Sequence, residues 1–217
     1  MRWVAYGAPA YEELRRVIGR VKAADPMAPV TLIVPSNLCG TIARRTLAAT
    51  LRDEGRRGVA GLTILTLDRL AELVAAPQLT AAGRRPATAP VLAAAWRREL
   101  AADARSFEPV AQHPATVRAL AEAHRALRDL SAAALDGLAA TGTLPADVVE
   151  LHRRVADRLA GRWYDVHDLR AAARRLLDER ATPTLGQLGT VVLFLPQDLD
   201  RAPESSARRW PGPVPRR

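Results

Sequence analysis

The residues most suited to metal chemistry lie together in one short segment, Tyr164-Asp165-Val166-His167-Asp168. Carboxylate and imidazole side chains are common ligands of divalent cations, so a metal site is one interpretation of this segment. Asp165 also stands directly before an amphipathic stretch that starts near Val166, and an aspartate in that position caps a helix. We predict the helix cap, and we assign no metal ligand here.

Two further histidines, His124 and His152, fall on the apolar faces of predicted helices. A histidine can act as a general base or bind a metal, but on an apolar helix face it is more often a hydrogen-bonded residue of the core or of an interface. We therefore predict that both histidines are structural. The sequence offers no residue that we assign as catalytic.

Small polar residues follow two short β-branched runs. Ser36 and Asn37 come after the run Val30–Pro35, and Thr66 lies near the end of the run that starts at Leu62. Each run leads straight into an amphipathic helix, which is typical of a parallel α/β sheet buried on both faces. In such sheets ligands bind at the carboxyl ends of the strands, so these polar residues are candidates for a binding site.

Arginine supplies almost all of the positive charge, because Lys22 is the only lysine. The formal net charge is +9, of which +3 comes from residues 203–217, with four arginines and one glutamate, and +6 from the rest. This charge is compatible with binding a polyanion but does not require it. Arg44, Arg45 and Arg69 lie near the predicted strand ends and are the candidates for phosphate contacts, whereas the other arginine pairs fit solvated helix faces.

Composition limits the class of protein. With 217 residues, 48% hydrophobic and 4% aromatic, the chain can bury an aliphatic core for one domain with an insertion or for two small domains. It has no run of about 18 apolar residues and no secretory leader pattern, so we expect no membrane span and a cytoplasmic location. The single cysteine, Cys39, excludes an internal disulfide and a cysteine-based metal or iron–sulfur site.

The pattern predicts four segments along the chain. Residues 1–78 alternate strand and helix, whereas residues 79–180 lose all strand character and form a helical insertion. Residues 181–202 return to the sheet through the apolar run Thr190–Leu195. Residues 203–217 combine prolines and arginines without periodicity, and we expect them to form a disordered basic tail.

The order of these elements resembles a known family. The strand and turn at Trp3–Ala10, the strand ending in Val34-Pro35-Ser36 and the run Leu65–Leu73 are similar to the first RecA-like domain of superfamily 1 DNA helicases. They take the form found in the inactivated helicase half of AddB-type (RexB-like) helicase–nuclease subunits. Leu79–Arg85 resembles the step into the helical insertion of that family. Leu151–Leu169, with its Tyr-Asp-x-x-Asp-Leu signature, resembles the segment that leads back to the sheet.

This resemblance covers residues 3–202 and implies an α/β fold of the P-loop NTPase (RecA-like) type, a parallel sheet with a large all-helical insertion. It implies that Ser36 and Asn37 contact the backbone of single-stranded DNA. It also implies that Thr66 and Asp68 belong to the next DNA-contacting segment. Together with the three arginines named above, Ser36, Asn37 and Thr66 form the predicted DNA-binding set.

Two departures from the family pattern concern ATP. No lysine stands between Gly7 and Tyr11, where the phosphate loop would carry it, so Gly7 marks a degenerate loop and we assign no nucleotide-binding residue. At the second ATPase motif the chain has Phe194-Leu195-Pro196-Gln197-Asp198, in which an apolar residue replaces the magnesium-binding acid. The resemblance therefore implies a domain without a cofactor that does not hydrolyse ATP.

Family members continue through a second RecA-like domain and a PD-(D/E)XK nuclease domain with an iron–sulfur cluster, which this sequence lacks. We therefore expect a truncated or frameshifted N-terminal piece, inactive as an enzyme alone, of a helicase–nuclease that processes DNA ends in double-strand-break repair and recombination. Its expected partners are single-stranded DNA, bound weakly, and a partner helicase subunit. The alternative is a compact, free-standing α/β module with a basic tail, whose helical insertion binds another protein and which has no DNA role.

Overall fold

The structure, a computed structural model, describes residues 4–5, 7–53, 59–179 and 184–195. The chain divides into two compact units: the α/β unit, Met1–Val74 with Leu176–Arg217, and the helical unit, Ala75–Arg175. In chain order the elements are α1 (Ala8–Ala24), β1 (Val30–Val34), α2 (Asn37–Asp53), β2 (Leu62–Thr66), α3 (Leu67–Ala81), β3 (Arg85–Pro86), α4 (Ala89–Ala102), a 3-10 helix (Arg105–Val110), α5 (Pro114–Leu127), α6 (Ala132–Ala139), α7 (Thr143–Leu159), β4 (Trp163–Tyr164), α8 (Val166–Asp178), α9 (Thr184–Leu188) and β5 (Thr190–Leu193). Among the described residues, none of these helices is long and apolar enough to cross a membrane.

The sheet of the α/β unit has three parallel strands in the order β2-β1-β5. Val30 of β1 pairs with Leu62 on one side and with Thr190 on the other, and Val34 pairs with Thr66. All five residues of β1 are buried, as expected for a central strand of mainly β-branched and aliphatic residues. The prediction that these three segments form one parallel sheet is confirmed, with β5 beside β1 and not beside β2.

One face of β1 carries the core of the α/β unit. Leu32 and Val34 alternate along the strand and therefore point to the same side of the sheet. They form one hydrophobic cluster with Leu14 and Ile18 of α1 and with Leu47 of α2. The buried faces of α1 and α2 therefore pack on the strand that leads to the predicted binding edge.

Close contacts fix α2 and the turns before the strands. At Gly40, an added Cβ would stand 2.8 Å from the Cγ2 of Ile64, so α2 approaches β2 more closely than a larger residue allows. The Nζ of Lys22 donates hydrogen bonds to the carbonyl oxygens of Ala28 and Ala60, the second at 2.5 Å. These bonds join the turn before β1 to the turn before β2. The only lysine of the chain therefore has a structural role.

The strand predicted at the start of the chain is not part of the described sheet. Val4 and Ala5 are exposed and lie in no strand. Trp3 and Tyr6 lie outside the described residues, as does everything after residue 195, including the predicted tail and the end of the predicted second ATPase motif. The described part of the sheet therefore consists of β2, β1 and β5.

The helical unit begins inside α3 and ends inside α8, a few residues ahead of the predicted bounds, 79–180. Trp96 of α4 and Leu151 of α7 are completely buried in a cluster that also includes residues of α5. A second cluster joins Leu127, Leu135 and Val149 from α5, α6 and α7. These helices show the apolar periodicity from which they were predicted.

A proline close behind a polar residue predicts helix starts at Thr88-Ala89-Pro90 and His113-Pro114, and α4 begins at Ala89 and α5 at Pro114. The start of α8 at Val166 also agrees with its prediction, whereas α7 begins at Thr143, ahead of the start predicted after Leu144-Pro145. The prediction that this region contains no strand is wrong. β3 and β4 form a short parallel pair in which Arg85 is opposite Trp163. Strands of two residues are too short to produce an alternating pattern, which explains why the sequence did not indicate them.

Candidate nucleic-acid interface

Two helices begin at the carboxyl edge of the sheet. Val34 at the end of β1 pairs with Thr66 at the end of β2, so the two strands end level with each other. α2 then begins at Asn37 and α3 at Leu67. Neighbouring strands lie about 4.8 Å apart, so the first turns of both helices share this edge. Free backbone N–H groups and the positive ends of the helix dipoles make such an edge suitable for an anion.

The hydroxyl groups of Ser36 and Thr66 cap these two helices. The Oγ of Ser36 accepts a hydrogen bond from the backbone N–H of Cys39 at 3.2 Å, and the Oγ1 of Thr66 accepts one from the N–H of Arg69 at 3.3 Å. Each oxygen is thus used as an acceptor, while its own O–H proton can still be donated to an external oxygen. The predicted backbone contacts need those protons. The capping role was missed, although a serine or threonine just before a helix is its usual signal.

A polar stripe runs along the exposed surface of α2. Asn37, Thr41 and Arg44 are spaced by four and three residues, so they share one side of the helix, and all three are exposed. The hydroxyl of Thr41 donates to the carbonyl oxygen of Asn37 at 3.0 Å. α2 has no acidic residue before Asp53. We call Asn37, Thr41 and Arg44 the polar stripe; it offers an amide, a hydroxyl and a guanidinium with no carboxylate between them.

Arg44 and Arg45 are exposed, and neither forms an ion pair within the described part of the chain. They follow Asn37 by seven and eight residues, or about 10–12 Å along the helix axis at 1.5 Å per residue. They are therefore further from the end of β1 than predicted, since the sequence pattern placed them near the strand ends. Helical side chains tilt toward the N-terminus, so both guanidinium groups can reach back toward the sheet edge.

The start of α3 is less favourable to an anion than the start of α2. Arg69, 65% exposed, forms an ion pair with Glu72, with 2.6 Å between Nη1 and Oε2. Asp68 adds a second carboxylate in the first turn of the helix. The carboxylate of Glu72 offsets the charge of Arg69, and Asp68 repels phosphate. Among the predicted phosphate contacts, Arg69 is therefore weaker than Arg44 and Arg45.

An aromatic contact lies where the resemblance would place ATP. Gly7 precedes α1 with a φ of 89°, and its carbonyl oxygen accepts hydrogen bonds from the N–H groups of Ala10 and Tyr11. The ring of Tyr11 meets the ring of Phe194 edge to face, with centroids 5.2 Å apart. Phe194 is buried at the end of β5 and belongs to the core. The remainder of the predicted second ATPase motif, from Pro196, lies outside the described residues.

In the helical unit, two arginines bind the aspartates at the start of α8. Arg128 contacts Asp165 and Asp168, each with 2.8 Å between nitrogen and oxygen, and Arg84 contacts Asp168 at 2.9 Å. The Oδ1 of Asp165 accepts from the N–H of Asp168 at 2.9 Å, and the Oδ2 of Asp168 accepts in return from the N–H of Asp165. The predicted cap by Asp165 is confirmed, as half of a reciprocal capping pair.

The charges around this segment fit a structural role. Burial by itself would raise the pKa of Asp165, but the hydrogen bonds from Arg128 and from the backbone of Asp168 hold that pKa below its ordinary value. His167 faces another carboxylate, with 3.5 Å between its Nδ1 and the Oδ1 of Asp129. Within the described residues, no group of three or more His, Cys, Asp or Glu side chains is arranged to hold a metal ion.

His124 and His152 are buried next to each other in the helical unit, at 2% and 3% exposure, with ring centroids 4.5 Å apart. The ring of Trp96 meets His124 edge to face at 5.9 Å. The Nδ1 atoms of both histidines and the Nε1 of Trp96 have no hydrogen-bond partner among the described residues. Both histidines are thus in the core as predicted, but the predicted hydrogen bonds are absent at Nδ1.

The two histidines are neutral at pH 7. Burial lowers the pKa of His124 to about 4, assisted by the neighbouring His152 and by Arg128. Burial likewise lowers the pKa of His152 to about 4, with further contributions from Arg128 and Arg153. The sequence placed both residues on apolar helix faces, but their contact joins α5 to α7 across 28 positions, and no local pattern indicates it.

Ion pairs within the helical unit occupy many of its arginines. Arg154 and Arg158 share the buried carboxylate of Glu99, with 2.8 Å between Arg154 and Glu99. Arg105 contacts Asp147 at 3.2 Å. These guanidinium groups are held by carboxylates of the same unit, so they are less available to a polyanion than Arg44 and Arg45.

No protein-family model matches the chain, and no curated protein matches it either. The likeness to the helicase family therefore depends on the residues and motifs of the sequence alone.

Proposed function

We propose that the α/β unit binds single-stranded DNA along α2, as the non-hydrolysing helicase-like N-terminal domain of a DNA end-processing helicase–nuclease. In this proposal the carboxyl edge of the sheet and the polar stripe contact the DNA backbone. Ser36 and Asn37 act near the start of α2, Thr66 acts at the start of α3, and Arg44 and Arg45 supply the charge. Arg69 contributes less, because Glu72 offsets its charge.

The observation that carries this proposal is the charge distribution on α2. The helix presents its N-terminus, an exposed amide and two exposed arginines without an intervening acid, over a length of about 10–12 Å. Phosphate contacts of this kind position a nucleic acid without reading its sequence. A few such contacts give weak, salt-sensitive binding.

The proposal includes no ATP hydrolysis. Catalysis of phosphoryl transfer needs a cationic side chain that contacts the β- and γ-phosphates and a carboxylate that binds the magnesium ion. The chain has no lysine between Gly7 and Tyr11, and the buried ring of Phe194 packs on Tyr11 where the resemblance places the nucleotide. A DNA-handling or scaffolding role next to a separate motor subunit is consistent with both features.

The test is binding of a labelled oligothymidylate of about 16 nucleotides, long enough to cover one site, followed by fluorescence anisotropy as the salt concentration rises. The double variant Arg44→Ala/Arg45→Ala should weaken binding about 10-fold or more at low salt. Each lost phosphate contact should reduce the slope of log K against log salt by about 0.7, so the double variant should flatten it by about 1.4.

The matched control is Arg97→Ala/Arg98→Ala, which removes two adjacent exposed arginines from α4 in the helical unit. This control should leave both affinity and salt slope nearly unchanged, and a deletion of residues 203–217 should lower only the non-specific component. Equal losses in the two double variants would show that net charge alone binds DNA. Binding that depends only on residues 203–217 would assign the DNA role to the tail and reject the proposal.

A further inference from the structure

A second exposed stripe of α2 lies beside the polar stripe and is apolar. Leu38 is 70% exposed and Ile42 43% exposed, and they are four residues apart on the same side of the helix. Arg45 and Ala49 continue this line and are also exposed. Leu38 and Ile42, the apolar stripe, take no part in the core that the described residues of the α/β unit form, because α2 packs through its opposite side, including Leu47.

Single exposed apolar side chains are normal on protein surfaces. Here, however, two of them form a line that runs parallel to the polar stripe, because Leu38 and Ile42 each follow a member of that stripe by one position. A ligand that fits both lines must present anionic groups along one side and apolar faces along the other. Single-stranded nucleic acid has this arrangement, since its phosphates form a chain and its bases are unpaired and accessible. In a duplex the base faces are stacked and hidden.

We propose that Leu38 and Ile42 contact the bases of single-stranded DNA while the polar stripe contacts the phosphates. This inference rests on the proposed function and adds a preference for single strands over duplex. The absence of acidic residues on α2 before Asp53 favours a polyanion as the occupant over a protein helix, which would supply apolar contacts but no matching line of negative charge. Arg44 at the end of the polar stripe and Arg45, which continues the line of the apolar stripe, contact phosphates of the same strand.

The test compares Leu38→Ala/Ile42→Ala with the wild-type chain on two probes, the labelled oligothymidylate and a labelled duplex of the same length. Affinity for the single strand should fall about 5- to 10-fold, at the lower end of the effect of removing an aromatic stacking partner. The salt slope should stay the same, because no phosphate contact is lost. Binding to the duplex should not change. Leu38→Tyr should tighten single-strand binding about 3-fold or more, because a base stacks better on a ring.

Leu130→Ala/Leu144→Ala is the matched control, since these leucines of the helical unit are 41% and 53% exposed. It should alter neither probe, and urea unfolding should confirm that all variants remain folded. If Leu38→Ala/Ile42→Ala binds the single strand like the wild type while Arg44→Ala/Arg45→Ala weakens it, the base contact is wrong and the proposed function stands. An equal loss on both probes would also reject the base contact. If the wild-type chain binds no single strand at all, the proposed function fails, and this inference fails with it.

Discussion

The two units use their charged residues differently. In the helical unit, Arg128 and Arg154 are held by carboxylates, and Glu99 is almost completely buried between two guanidinium groups. In the α/β unit, Arg44 and Arg45 are exposed on a helix that has no acid before Asp53, and they have no ion-pair partner within the described residues. The net charge of +9 therefore does not by itself show which surface would bind a polyanion. The distribution of carboxylates is the better guide to a candidate surface, because an arginine already paired with an acid offers little charge to a phosphate.

Histidine divides the units as well. All four histidines of the chain lie within the helical unit, and two of them form its buried pair. Exposed arginines keep their charge at any ordinary pH. A buried imidazole becomes charged on acidification, and a charge in an apolar core destabilises the folded chain. We therefore expect the stability of the helical unit to depend on pH. We expect the proposed DNA binding by the α/β unit to depend on salt concentration.

The largest expected effect is acid destabilisation through His124 and His152. Each pKa is about 4 in the folded chain against 6.5 for an ordinary histidine, so between these values the unfolded chain binds more protons. The contribution of the two neutral histidines to stability is fully present above about pH 6.5 and is lost as the pH drops toward 4. Between pH 7.5 and pH 5 the two histidines together should lower the free energy of unfolding by about 4 kcal/mol, which urea unfolding followed by circular dichroism would measure.

The charged groups around the pair do not remove this effect. Arg128, Arg125 and Arg153 oppose protonation, and Asp165 favours it. The pKa of Asp165 is itself lowered, so its contribution to stability is present above its unfolded value of 3.8 and is lost only at lower pH. A variant with both buried histidines changed to leucine should therefore lose most of the pH dependence between 4 and 6.5. An unchanged profile in that variant would show that other groups carry the effect.

The second prediction concerns Glu99. Glu99→Gln leaves Arg154 and Arg158 facing each other without the carboxylate that they share. Breaking a buried ion pair costs about 3–5 kcal/mol, and here we expect about 2–3 kcal/mol because the two arginine side chains are 25% and 39% exposed. Urea unfolding at pH 7.5 would measure the loss.

An exposed ion pair in the same unit provides the control for this change. Arg153 contacts Asp136 on the surface, with side chains 42% and 66% exposed. Arg153→Ala should cost less than about 1 kcal/mol. Similar losses for Arg153→Ala and Glu99→Gln would mean that burial of the carboxylate does not decide the stability of the helical unit.

Local features of both units could be predicted from the sequence. The strand at Val30, the helix starts at Ala89 and Pro114 and the cap at Asp165 all follow from residues within a few positions of one another. Such patterns depend on backbone preferences and on one hydrophobic face, so they can be recognised without knowing the fold. The Arg69–Glu72 pair has the same local character, with a spacing of three residues, although it was not among the predicted contacts.

Contacts between distant segments could not be predicted in this way. Glu99 and Arg154 are 55 positions apart, and the pairing of β3 with β4 joins Arg85 to Trp163, 78 positions later in the chain. The packing of whole helices against each other determines which of these residues meet. The same apolar pattern is compatible with several ways of packing, each of which brings different side chains into contact. For the same reason the candidate arginines could be named from the sequence, but the acids that neutralise the remaining arginines could not.

The smallest expected effect compares one helix cap from each unit. Ser36 caps α2 and Ser131 caps α6 with the same geometry, a hydrogen bond of 3.2 Å from a backbone N–H to Oγ. Ser36→Ala and Ser131→Ala should each lower the free energy of unfolding by about 1 kcal/mol. Only Ser36→Ala should also weaken binding of the single strand, by about 2- to 5-fold, because only that hydroxyl lies at the proposed backbone contact and can donate its proton to a phosphate. If both alanine variants bind the oligothymidylate like the wild type, Ser36 is a structural cap alone, and the DNA contacts of the α/β unit begin further along α2.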